Sequence, residues 1–360
     1  MAAVEFHRLT ISDIRRETPE AVSIAFAVPP ELAEAYRFQP GQHLTLRATL
    51  DGAECRRSYS ICTGLDDGEL RVAVKKVDGG LFSAHACEQI RVGDAIDVMT
   101  PQGRFGVAPD PGAARTYLAI AAGSGITPIM SLMRSVLARE PESRFVLIYG
   151  NRTAQSIIFK EALEDLKDRH LDRLALHHVL SREKQDVALL NGRIDAEKIA
   201  AVLASVGGAA HIDHAFLCGP RGLIEDSRAA LTQLGVPPDR IHVEYFTTDG
   251  VPGVPRPVRV EPAITDEPIA NAHITLYGSA YDVAVYEGET IVDAGLRVGL
   301  EMPYSCRGGM CCTCRAKLIA GEVRMDHNYS LEGWEMAAGY VLTCQSHPLT
   351  KEVVLDYDQV

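Results

Sequence analysis

The 360-residue chain has no apolar run long enough to cross a bilayer, no excess of positive charge, no cysteines at disulfide-like spacing and no repeat or low-complexity tract. Each absence removes a class of function. The longest apolar stretch, Tyr117 to Met133, is broken by Gly123, Gly125 and Pro128 and falls short of a bilayer's width. From Met1 to Glu17 charged residues occur throughout and no apolar core intervenes, so this segment does not read as a signal peptide. A net charge of −12 and a pI near 5.5 argue against nucleic acid or an anionic membrane as partner. An acidic face for docking a protein fits them. Nine cysteines without disulfide-like spacing fit a reducing, cytoplasmic setting. At roughly 150 residues per domain, the length implies two or three domains.

What is present is most informative near the C-terminal end. Four cysteines fall at Cys306-x4-Cys311-x2-Cys314-x29-Cys344, the spacing by which a plant-type loop holds a [2Fe-2S] cluster in four thiolates. Such a chain moves single electrons. Three ligands lie in one short loop, Cys306-Arg307-Gly308-Gly309-Met310-Cys311-Cys312-Thr313-Cys314, whose backbone must wrap the cluster and aim N–H groups at its sulfurs. Gly308 and Gly309 suit the tight, positive-φ turns this needs. Structural zinc is the rival metal, but its cysteines usually come as two CxxC units, whereas Cys344 stands alone. The intervals fit only with Cys311 as ligand, which leaves Cys312 as a small residue facing away.

Texture along the chain changes twice. Up to about Phe105, short alternating runs (Val22–Phe26, His43–Arg47, Leu70–Val74, Ala95–Val98) are separated by Gly, Pro and Asp, which predicts an antiparallel β-barrel over residues 1–110. Between residues 111 and 246 the runs Tyr117–Ile120, Phe145–Tyr149, Leu174–Leu180 and Ala215–Leu217 are continuously apolar, as strands covered on both faces require. Helix-period segments such as Phe159–Leu166 and Leu223–Leu234 lie between them. This predicts an α/β domain with a doubly wound parallel sheet. Residues 247–268, rich in Pro and Gly, read as an extended linker. The remaining residues, 269–360, hold strands at His273–Tyr277 and Val283–Tyr286 and a helix from about Thr290.

Three stretches carry candidate cofactor chemistry. Gly123-Ser124-Gly125-Ile126-Thr127-Pro128 follows the first strand of the α/β domain, where backbone N–H groups and a helix N-terminus can take a diphosphate. The same residues also suit a tight strand-to-helix turn with Pro128 at the first helical position. Arg57-Ser58-Tyr59-Ser60 puts Arg57 and Tyr59 on one face of a strand and Ser60 on the other. A phosphate fork, a ring to pack on an isoalloxazine and a hydroxyl near its N5 are what a flavin needs, though a surface edge strand would look similar. Gly79-Gly80-Leu81-Phe82-Ser83 precedes a predicted helix and offers either backbone amides for a flavin's phosphates or an ordinary turn. Read from residue type alone, Cys218 is a buried structural thiol and Glu244 a surface charge.

Together these pieces resemble ferredoxin–NADP reductase-type flavoproteins joined to a plant-type ferredoxin, over nearly the whole chain. The resemblance implies FAD, a nicotinamide nucleotide and the [2Fe-2S] cluster as cofactors, and an α+β ferredoxin-like β-grasp fold at the C-terminal end. It assigns Arg57, Tyr59 and Ser60 to the flavin, Gly80 to Ser83 to its diphosphate, and Gly123 to Pro128 to the diphosphate of the nucleotide. Cys218-Gly219-Pro220 and Glu244 match the motifs beside the nicotinamide, which makes Ser60, Cys218 and Glu244 the residues expected at the site of hydride transfer. Ser181-Arg182-Glu183 is similar to the family's 2′-phosphate-binding Ser-Arg-Glu, and Arg152 follows the preceding strand; two arginines there favour NADPH over NADH, though solvated loop charges would read the same. Tyr36–His43, Ala121–Pro128, Tyr149–Thr153 and Ala338–Gln345 look like the reductase components of bacterial phenylacetyl-CoA epoxidases. That implies a diiron oxygenase as electron acceptor. Reductases of steroid and aromatic-ring hydroxylases share every cofactor motif and form the alternative. A simple carrier or redox sensor needs neither the flavin nor the nucleotide motifs. Because the chain continues past Phe246, a flavin-covering role for that ring does not transfer.

Overall fold

Alternating apolar and polar residues give six antiparallel strands, β1 (Phe6–Thr18), β2 (Ala21–Ala27), β3 (His43–Leu50), β4 (Ala53–Ser60), β5 (Leu70–Lys75) and β6 (Ala95–Met99), with helix α1 (Leu81–Glu88) between the last two. The computed structural model describes residues 5–246 and 267–359, so the expected linker over 247–268 lies outside the described residues except for Glu267 and Pro268. The strands run in the order β4-β3-β6-β1-β2-β5. A bridge between Ile61 and Val72 joins the two ends into a barrel. Inward residues such as Leu9, Ile24, Leu44, Leu46, Val72 and Val98 fill it, and α1 inserts Phe82 into the same core.

From Thr116 the chain builds the parallel sheet: β7 (Thr116–Ala122), α2 (Ile126–Arg139), β8 (Arg144–Asn151), α3 (Lys160–Arg169), β9 (Leu174–Leu180), α4 (Ala196–Ser205), β10 (His214–Gly219), α5 (Arg221–Gln233) and β11 (Ile241–Tyr245). Every pairing is parallel, in the order β11-β10-β7-β8-β9. The apolar run of β7 is explained by burial on both sides. Tyr117, Ala119 and Ala121 pack with α2 and α3, while Leu118 and Ile120 pack with α4 and α5. The run Leu174–Leu180 departs from this: as β9 it is the edge strand and only half buried between its ends. Pro128 is the third residue of α2, after a 3₁₀ turn over Gly123–Gly125, not the first. The first turn of a helix has unpaired N–H groups throughout, so proline is tolerated there as well.

The C-terminal unit is a mixed sheet with one crossing helix, the β-grasp arrangement. Its elements are β12 (Ala270–Leu276), β13 (Ser279–Val285), α6 (Ile291–Arg297), β14 (Arg315–Ala320), β15 (Val323–Met325), α7 (Gly333–Ala337), β16 (Tyr340–Leu342), β17 (Ser346–Pro348) and β18 (Glu352–Asp356). The order is β13-β12-β18-β14-β16, with β12 and β18 parallel, and β15 pairs β17 apart from it. Tyr277 leaves the expected strand because it adopts φ +52°. Thr290 caps α6 by accepting the Asp293 N–H. Among the described residues no helix is long and apolar enough to cross a membrane.

At the end of α2, Glu140 is fully buried. Its carboxylate accepts the Tyr117 hydroxyl at 3.0 Å, the Ser143 hydroxyl at 2.6 Å and the Asp110 N–H at 2.9 Å. Glu140→Ala strands those buried donors and should cost roughly 2–4 kcal/mol of stability, read as a lower denaturation midpoint by circular dichroism. An unchanged midpoint would mean that Tyr117 and Ser143 find other partners.

Candidate functional site

In an open parallel sheet a ligand crevice opens at the carboxyl ends of strands where the strand order reverses. Here β8 and β9 extend from β7 one way, β10 and β11 the other. The crevice therefore lies over β7 and β10, which end in Gly123-Ser124-Gly125 and in Cys218-Gly219-Pro220. A Cβ on Gly125 would stand 2.1 Å from the Cys218 carbonyl oxygen, so only glycine lets the two turns meet. Thr127 donates to the Ser124 carbonyl at 2.9 Å and closes the first turn of α2. The N–H groups of that turn and the helix N-terminus form an edge suited to an anion.

Parallel register sets Cys218 beside Glu244. Across from the barrel, the Ser60 hydroxyl donates to the Glu244 carboxylate at 3.3 Å. The three residues expected at the hydride-transfer site are thus neighbours, although Ser60 and Glu244 are separated by most of the unit's sequence. Burial, and then the Glu244 charge, push the Cys218 thiol well above its ordinary value, so it is a neutral thiol rather than a thiolate.

In β4, Arg57 is exposed and donates to the Arg56 carbonyl at 2.7 Å, Ser58 meets the Thr45 hydroxyl at 3.3 Å, and Tyr59 packs on Phe82 with ring centroids 5.7 Å apart. Burial raises the Tyr59 hydroxyl above its usual range, which keeps it neutral. Gly80 caps α1. A Cβ there would stand 2.5 Å from the Ser83 hydroxyl, which itself accepts the Val77 N–H at 3.1 Å and donates to the Gly80 carbonyl at 3.2 Å. The bare backbone edge at Gly80 and Leu81 fits the diphosphate of FAD, and the Tyr59 ring fits its flavin end. Sequence reasoning missed Lys75. Its ammonium lies 3.8 Å from where a Cβ on Gly123 would be, which sets a barrel cation beside the nucleotide turn. A lysine directly after the run Leu70–Val74 was the available signal.

At the ends of β8 and β9 the backbone itself joins the two arginine-bearing turns. The Arg182 N–H donates to the Arg152 carbonyl at 2.8 Å and the Ser181 N–H to the Asn151 carbonyl at 3.0 Å. Arg152, Ser181 and Arg182 are adjacent, with both arginines exposed.

In the C-terminal unit the thiols come in two pairs. Cys306 is hydrogen-bonded to Cys311 and Cys314 to Cys344; those bonds, and then burial, raise the Cys306 and Cys314 thiols well above the ordinary value. Among the described residues no three of His, Cys, Asp or Glu converge as a single metal ion needs. Two pairs suit two irons with two thiolates each, so the residues fit a [2Fe-2S] cluster. The Gly308 and Met310 N–H groups point at the Cys306 sulfur, each at 3.4 Å, and the Gln345 amide lies 3.7 Å from that of Cys344. Positive φ occurs at Arg307, Gly309 and Cys312 rather than at Gly308. A Cβ on Gly309 would meet the His327 carbonyl oxygen at 2.7 Å, which closes that position to larger residues. Cys312 turns its thiol to Ser330, and burial pushes it up to about 12.

Comparison with known proteins finds three family models along the chain. Residues 9–106 match the oxidoreductase FAD-binding domain, 119–229 the oxidoreductase NAD-binding domain and 274–349 the 2Fe-2S iron-sulfur cluster binding domain. The chain is 49% identical to a component of the 1,2-phenylacetyl-CoA epoxidase of Escherichia coli K12 over 356 residues, covering 98% of each chain. It is 36% identical to the ferredoxin reductase component of 3-ketosteroid-9-alpha-monooxygenase from Mycobacterium tuberculosis H37Rv, over 98% of this chain and 96% of the other. Among solved structures, phthalate dioxygenase reductase shares the fold with a TM-score of 0.59, 22% identity and 98% coverage of both chains.

Replacing any one of Cys306, Cys311, Cys314 or Cys344 by Ser should abolish the brown colour and the rhombic EPR signal of the reduced protein. Cys312→Ser should keep both, with about two irons per chain. Loss of iron in Cys312→Ser, with retention in Cys311→Ser, would show that the ligand register is shifted by one.

Proposed function

This chain belongs to the family of iron–sulfur flavoprotein reductases that serve oxygenases, and from that premise we propose that it carries electrons from NADPH to a diiron oxygenase of the phenylacetyl-CoA epoxidase type. The family's cofactors are FAD, a pyridine nucleotide and a [2Fe-2S] cluster, and the chain is the oxidoreductase component of such a system. FAD supplies the conversion of a two-electron hydride donor into a one-electron supply for the cluster. The observation that carries the choice of acceptor is the likeness to the epoxidase component from end to end, at a higher identity than to the steroid monooxygenase component. The second reading, a steroid or aromatic-ring hydroxylase, rests on that latter likeness.

In this reading Arg57 holds flavin phosphate, Gly80 and Ser83 line its diphosphate, and Tyr59 packs on its ring. Ser60 lies near N5, and its bond to Glu244 at 3.3 Å ties the barrel to the nucleotide half. Cys218 and Glu244 place the nicotinamide. None of them needs to move a proton as a general acid or base, since the cofactors carry the chemistry. Gly123, Ser124, Gly125, Thr127 and Pro128 receive the nucleotide's diphosphate, with Gly219 following on β10. Ser181, Arg182 and Arg152 receive the 2′-phosphate, which is the case for NADPH.

Arg182→Ala should raise KM for NADPH about ten- to a hundredfold, the loss of a charge-assisted contact, and barely change KM for NADH. Equal effects in steady-state assays with both nucleotides would remove the case for NADPH.

Residues 268–360 hold twelve acidic and six basic side chains, half of the chain's net charge of −12. An acidic cluster domain steers toward a basic patch on its acceptor. With purified oxygenases in parallel, the phenylacetyl-CoA enzyme should turn over and a ketosteroid enzyme should not. Transfer at subsaturating oxygenase should weaken as the Debye length falls from about 30 Å at 0.01 M salt to about 8 Å at 0.15 M. Equal turnover of both oxygenases would withdraw the specific acceptor, and a flat salt profile would withdraw electrostatic docking.

A further inference from the structure

Tyr149 stands on β8 with its side chain fully buried. Its hydroxyl reaches across to the turn after β7 and donates to the Gly123 carbonyl oxygen at 2.9 Å, while the Ile158 backbone N–H donates to the same hydroxyl. The ring also lies against His178, with centroids 5.9 Å apart, so packing holds it whether or not the hydroxyl is present. Nothing in the hydride path touches this residue. Its hydroxyl thus ties the first residue of the Gly-rich turn to Ile158 and to the Asn151 side chain.

The direction of that bond has a consequence for the turn. Gly123 has φ +53°, and no peptide among the described residues is cis. In a trans peptide the carbonyl and the following N–H point in opposite directions. Drawing the Gly123 oxygen down toward β8 therefore turns the Ser124 N–H up, away from the sheet and toward the crevice. The Gly123 carbonyl also accepts the Ile126 N–H that closes the 3₁₀ turn, so the Tyr149 hydroxyl is a second hold on a peptide that a left-handed glycine could otherwise reorient. The Lys75 ammonium beside Gly123 supplies a cation to the same turn.

We propose that Tyr149 is a positioning residue for the pyridine nucleotide: its hydroxyl locks the Gly123–Ser124 peptide with the amide facing the diphosphate, so that the anion site exists before the nucleotide arrives. Preorganisation of this kind raises affinity by removing an ordering cost from binding. The proposal rests on the reading that the nucleotide's diphosphate lies on the Gly123–Gly125 turn. It predicts an effect confined to ligands that carry the diphosphate.

Tyr149→Phe removes one oxygen and keeps the ring. In calorimetric titrations of the holoenzyme, Kd for 2′-phospho-ADP-ribose should rise about 3- to 10-fold, the loss of a single hydrogen bond. Kd for adenosine 2′-monophosphate, which lacks the diphosphate, should be unchanged. Stopped-flow reduction by NADPH should show the same rise in apparent Kd, with the limiting rate preserved. An equal rise for both ligands, or no rise for either, overturns the proposal. So does a lower unfolding temperature with unaltered diphosphate affinity, which would make Tyr149 a packing residue. A wild-type protein that binds neither ligand would instead refute the assignment of the crevice to the nucleotide.

Discussion

The reductase unit depends on one close approach, that of Gly125 to the Cys218 carbonyl. Strand order reverses between β7 and β10, and their turns meet at the reversal only because residue 125 has no side chain. With a Cβ in place the first turn of α2 would have to back away from the Cys218–Gly219 peptide. The Gly-rich turn and the Cys218 thiol would then be two places instead of one. Because they meet, Glu244 in the next strand comes under the reach of Ser60, and the barrel closes on the nucleotide half through a side-chain hydrogen bond. The meeting of Ser60, Cys218 and Glu244 is in this sense a packing consequence of a glycine.

A different constraint organises the C-terminal unit. Four thiols placed within reach of one another cannot all ionise unless a cation lies among them. Their grouping as Cys306 with Cys311 and Cys314 with Cys344 divides that burden into two, as a two-iron centre does. The loop then adds N–H donors at the Cys306 sulfur and an amide near the Cys344 sulfur. Such donors favour the more negative, reduced state of a cluster and are a lever on its potential. The Cys306 and Cys311 pair is half-buried whereas Cys314 and Cys344 are buried, so the two pairs differ in their access to solvent and to a partner.

The two units divide the chemistry by charge as well as by cofactor. In the reductase unit Arg152 and Arg182 stand together at the ends of β8 and β9, and Lys75, 3.8 Å from the Glu20 carboxylate, stands beside Gly123. The cluster-bearing part carries half of the chain's negative charge on about a quarter of its length.

Sequence alone determined whatever is written in local order. Three of the four thiols lie within nine residues, so their spacing named the cluster without reference to the fold. Period-2 alternation and continuous apolar runs likewise separated a barrel from a parallel sheet, because each pattern reports the environment of its own strand. Tertiary structure decided the rest. That Leu174–Leu180 lies at an edge follows from strand order, which periodicity does not encode. The turn geometry at Arg307 and Cys312, in place of Gly308, follows from how the loop folds back on His327 and Ser330. The meeting of Ser60 with Glu244, of Lys75 with Gly123 and of Tyr149 with the Gly123 carbonyl joins residues from separate strands. Hydrogen bonds and close approaches of that kind exist only once the sheet order has set which strand ends are neighbours, and no window of sequence contains both partners.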